Sequence, residues 1–139
     1  MPTTLLISFI SYGTIALTSI LFGLIYLLRD RFMPYHSEAL ELSWSDLEPN
    51  LQILILALMR AVAGGFLATG LVILILLIIP FRAGDMWSIY TIPSISLCNS
   101  LGTLYATLLV KTKTPGNPPF ILSSIALILT GLGFLFSII

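Results

Sequence analysis

Residues 51–79, LQILILALMRAVAGGFLATGLVILILLII, form an apolar run broken by a single charge, Arg60. A helix counted from Pro49 through this run would be about 45 Å long at ~1.5 Å per residue, more than the ~30 Å hydrocarbon core of a bilayer. The run therefore reads as a membrane span that must also accommodate a cation. Two placements follow. If the bilayer begins near Arg60, its guanidinium snorkels to the surface, and the preceding turns stand above the lipid. If it begins near Leu51, Arg60 lies roughly 14 Å deep and needs a partner inside the protein. Ala57, Arg60, Gly64 and Ala68 share one helix face with Ala61 and Gly65 beside it, so this face is expected to pack tightly against another helix.

Composition agrees with that run. The chain is 58% hydrophobic and only 9% charged, with a mean hydropathy of +1.08, against roughly 25% charged residues in a soluble domain. An integral membrane protein is expected. A formal net charge of zero supplies no basic surface for nucleic acid. The one cysteine, Cys98, excludes an intrachain disulfide, and no Cys/His spacing suits a metal or haem site. No cofactor is anticipated.

Hydrophobic runs divide the chain into one domain of four spans, near residues 5–28, 51–79, 87–110 and 120–139. The start MPTT carries no basic side chain, so the first run reads as a retained span and not as a cleaved leader. Ser8, Tyr12, Ala16, Ser19 and Gly23 mark its packing face, and Ser123, Ala126, Thr130, Gly133 and Ser137 that of the last span. The third span is the most polar. Pro93 lies inside it, and Ser94, Cys98, Gly102 and Tyr105 form a stripe with Asn99 at its edge. Residues 29–50 hold five of the six acidic residues. Within them Ser37 and Glu38 read as a helix start, and residues 38–47 as a short amphipathic helix in the interface with Trp44 at headgroup level. The expected architecture is an all-α transmembrane four-helix bundle with this interfacial helix between spans one and two.

Basic residues set an orientation. Arg29, Arg31, Lys111 and Lys113 lie in the first and third loops, and Arg82 alone in the second. The long loops, 29–50 and 111–119, should face the cytoplasm and both termini the outside. Arg60 then falls at the depth of Asn99 and Tyr105, beneath Glu41, Asp46, Glu48 and Trp44. These residues form the candidate site, in which Arg60 anchors a lipid phosphate or fatty carboxylate bidentately. A closed pairing of Arg60 with a loop carboxylate is the structural alternative. His36 near Glu38 and Glu41 is the candidate acid/base set, although five residues separate His36 from Glu41 and place them on different helix faces.

The segments FMPYHSEALELSWSDLEPNLQ, LALMRAVAGGFLATG and IPFRAGDMW resemble a family of small bacterial four-span membrane proteins of uncharacterised activity. The resemblance implies four spans and a bacterial inner membrane, and carries no site residue. Small multidrug exporters are a poor fit, since no acidic residue lies within a span to couple protons. Three functions remain in view. The first is a non-enzymatic module binding a lipid or hydrophobic ligand at Arg60, self-associating or joined to a larger membrane assembly. The others are a membrane enzyme acting on a lipid through His36, Glu38 and Glu41, and a purely structural subunit.

Overall fold

A computed structural model describes residues 2–139. Five helices follow one another: α1 (Thr3–Leu28), α2 (Pro34–Leu40), α3 (Pro49–Leu76), α4 (Met86–Lys113) and α5 (Phe120–Ile138). A 3-10 turn, Trp44–Asp46, precedes α3, and a π-helical turn, Leu77–Phe81, continues it; no strand occurs among the described residues. Four of the helices are long and apolar enough to cross a membrane. The protein is an all-α transmembrane four-helix bundle.

Packing around the bundle is uneven. α1 packs along both α3 and α5, and α5 also along α4, whereas α3 and α4 meet far less, and α4 also touches the π-helical turn that continues α3. Glycine permits the closest approach: a Cβ on Gly70 of α3 would stand 2.7 Å from the Ala16 carbonyl oxygen of α1. At the end near the π-helical turn, Tyr12, Ile15, Ala16, Ile73, Leu77, Phe81 and Ile92 form a buried core. Pro80 sits within that turn. It has no amide hydrogen to donate, which a widened turn tolerates better than a regular one.

The opposite end is roofed by α2 and the 3-10 turn. Phe32, Leu47 and Met59 are buried together there, with Tyr26, Met33, Trp44 and Ile55 against them. α2 begins earlier than the Ser37 start read from the sequence. Pro34 occupies its first turn, where a missing amide hydrogen costs nothing, and the His36 ring turns back to accept the Met33 amide at 3.3 Å. It also ends earlier, at Leu40, because Glu41 adopts a left-handed φ of 54°. Residues 38–47 are thus a helix end, a bend and a 3-10 turn. Gln52 joins this cover to α3 by donating to the Trp44 carbonyl at 2.7 Å.

The faces expected on α1 and α5 are the buried ones: Ser8, Tyr12, Ala16, Ser19 and Gly23 on α1, and Ser123, Thr130, Gly133 and Ser137 on α5. Those expected on α3 and α4 are not. Ala57, Ala61, Gly64 and Ala68 are exposed, and so are Ser94, Cys98, Gly102 and Tyr105. α3 instead buries Met59, Ala63, Gly70 and Ile73 against its neighbours.

Candidate functional site

Arg60 is answered by backbone and not by an anion. Its two terminal nitrogens donate to the carbonyls of Tyr26 and Arg29, each at 2.6 Å. These carbonyls belong to the last turn of α1 and its C-cap, where helix geometry leaves acceptors unpaired and the dipole favours a cation. Arg60 therefore caps α1 in trans at the level where that helix ends, and the α3 turns before it stand beyond the end of α1 under the α2 cover.

The ring of side chains expected around Arg60 does not form among the described residues. Asp46 accepts from the Ser43 amide and hydroxyl, at 3.0 and 2.6 Å, and these bonds hold its carboxyl below the usual carboxylate range. Glu48 is exposed at the N-cap of α3, and Glu41 is exposed at the C-cap of α2. Tyr105 is 72% exposed and points away from the bundle. Trp44 stacks edge-on against Phe32, at 5.1 Å between ring centres, as part of the roof. Nor is an acid/base pair assembled. Glu38 accepts the Asn117 amide at 2.9 Å, which ties α2 to the α4–α5 loop, and no carboxylate lies within ion-pair distance of His36.

What the helices do form is a half-open cavity of about 970 Å³ between the buried core and the roof. Its walls come from all four spans, and Tyr35, His36, Ala39 and Leu40 of α2 close it at one end. On α3 its lining runs from Leu51 to Phe66, about 22 Å of helix. Because α3 and α4 stand apart here, the cavity opens sideways through a cleft lined by Gly65 and Thr69 on one side and Ser94, Cys98 and Asn99 on the other. Gly65, Cys98 and Asn99 line cleft and cavity alike. Asn99 and Cys98 thus belong to the mouth of a cavity that Arg60 does not line.

Most hydroxyls in the wall are internally satisfied. Thr14, Thr18, Thr103 and Thr107 each donate to the carbonyl four residues earlier, so they present methyl groups to the interior. Ser19, Ser100 and Ser123 are more than nine-tenths buried in the wall. The result is an apolar chamber with a few scattered hydroxyls, the lining typical of sites that take hydrophobic ligands.

Polar groups gather only under the roof. The hydroxyls of Tyr26 and Tyr35 lie 2.6 Å apart, and the Tyr35 and His36 rings meet edge to face at 4.3 Å. Burial pushes the Tyr35 phenol above its ordinary range, reinforced by the bond to Tyr26. Burial, and then the positive charge of Arg29, holds His36 below the usual histidine value. His36 is therefore neutral near pH 7, and since Nδ1 accepts the Met33 amide, its proton sits on Nε2. The sequence marked His36 but gave no signal for Tyr26, Tyr35 or Arg29, because α2 had to be placed before their proximity could be read.

No family model, curated protein or solved structure matches the chain. What it does has to be read from its own residues.

Proposed function

We propose that this protein is a non-enzymatic membrane module that takes up the apolar chain of a membrane amphiphile. The observation that carries the reading is the cavity: about 970 Å³, at the upper end of the ~300–1,000 Å³ usual for ligand sites, apolar along its length and open toward lipid between α3 and α4. A chain can pass through that cleft without crossing water, since cleft and cavity lie at the depth of the spans. Arg60 serves as a fastener between α3 and α1 and not as the ligand's anchor. The basic residues of the first and third loops support an orientation with the α2 end at the cytoplasmic face.

Native mass spectrometry of protein extracted in mild detergent tests the reading. Wild type should carry a co-purifying amphiphile. Ala126→Phe, which fills the wall of the cavity, should lose it while circular dichroism shows the same helix content. Wild type that is consistently free of bound amphiphile, and that takes up none when lipid is added back, overturns the proposal.

A further inference from the structure

Each cation of the chain can be followed to what answers it. Arg60 donates to two carbonyls, and Lys111 stands 3.5 Å over the Phe120 ring. Arg31 pairs with Asp30 at 3.7 Å, and Arg82 and Lys113 are exposed. Arg29 differs. It is half-buried, its Nε is shut off from solvent without a hydrogen-bond partner, and no carboxylate lies within ion-pair distance among the described residues. A buried guanidinium N–H without an acceptor is costly, and an arriving anion that reached it would recover that cost. Arg29 is the C-cap of α1, one helical turn beyond Tyr26, and its charge is felt at Tyr26 and His36; these two line the roofed end of the cavity, and Arg29 stands just outside that lining.

We propose that this end is an anion site, in which Arg29, the His36 Nε2–H and the Tyr26–Tyr35 hydroxyl pair receive the carboxylate or phosphate head of an amphiphile whose chain occupies the cavity. The inference rests on the cavity reading above and gives it a ligand class. The chemistry is matched at both ends. A guanidinium and neutral O–H and N–H donors suit a compact anionic oxygen cluster, and the apolar chamber below them suits a hydrocarbon chain. The head would lie at the level where α1 ends, with the chain running toward the Tyr12 core. Neutral lipids lack the group that would answer Arg29.

The test uses the full chain in detergent and a neutral fluorescent probe, the methyl ester of a conjugated polyenoic fatty acid. Hexadecanoic acid, hexadecyl phosphate and methyl hexadecanoate compete for its place. At least one anionic competitor should displace the probe about tenfold or more better than the ester, the effect expected for a charged hydrogen bond; whichever of acid and phosphate prevails identifies the head. In Arg29→Gln that preference should vanish while the ester competes as before, Arg29→Lys should restore part of it, and His36→Phe should reduce it. Equal competition by anions and ester in wild type overturns the anion site and leaves the cavity reading standing. Failure of the probe to bind folded wild type removes both. Loss of ester binding along with anion binding in Arg29→Gln, with no rescue by Arg29→Lys, makes Arg29 a structural residue and also overturns the site.

Discussion

Two hydrogen bonds of 2.6 Å from Arg60 to the end of α1 make a side chain do what a C-cap residue does elsewhere. Arg60→Ala should lower stability to denaturant by about 2 kcal/mol, the usual scale for hydrogen bonds to a charged group. Arg60→Lys should recover less than half, because an ammonium lacks the fork that spans two carbonyls. Unfolding followed by circular dichroism measures both, and probe binding by the folded fraction should persist in each. Gly70, further along α3, meets α1 at a second point. Its missing Cβ leaves room for the Ala16 carbonyl at 2.7 Å, so Gly70→Ala must push two backbones apart and should cost about 1–3 kcal/mol. His36 gives a pH dependence of definite sign. Its pKa is lowered in the folded roof by burial and by Arg29, so the stabilisation is complete above the ordinary histidine value of about 6.5 and is lost as pH falls below it through the lowered one. Trp44 fluorescence should therefore report a looser α2 at about pH 5 than at about pH 7.5, and His36→Gln should abolish the difference.

At the scale of elements, the sequence and the fold agree where one helix touches two others and part where it does not. Small and polar stripes on α1 and α5 mark the faces that are buried, because both helices pack on both sides. Similar stripes on α3 and α4 turn outward or face the cleft: the pattern signals that a residue is small, and close packing is only one use for smallness. The start of α2 escaped a reading based on Ser37 because Pro34 and the His36 back-bond favour an earlier turn. The partners of Arg60 were illegible for a different reason. Every residue carries a carbonyl, and nothing in the sequence says which helix end will stand beside which side chain. The cavity, too, has no linear signature, since it arises from the spacing of helices. The cleft supplies its own test. Cys98 and Gly65 face it from opposite helices, so joining Gly65→Cys to the native Cys98 with a short bifunctional maleimide should trap bound probe and slow its exchange, whereas alkylating Cys98 alone in wild type should leave the probe able to leave. Exchange at the wild-type rate in the joined protein would remove this cleft as the route.

For the whole molecule, the arrangement gives two ends with different duties. One holds the Tyr12 core and the π-helical turn, and the other holds the roof, the basic loops and the Tyr26, Tyr35 and His36 group that lines the cavity. Orientation can be checked with Cys98→Ala as background: a cysteine at Ser45, exposed beside α2, should react with an impermeant maleimide only after cells are opened, and one at Ala83, exposed in the second loop, should react in intact cells. The reverse pattern would invert the topology. The π-helical turn bears on all of this from a distance. It carries α3 on into contact with α4 at the end away from the roof, so the two rods resemble tweezers that touch at one tip and have a cleft between them further along. On the proposed reading, the tip where the rods touch would set how wide the jaws stand, so a substitution there would be felt at the mouth although it touches no guest.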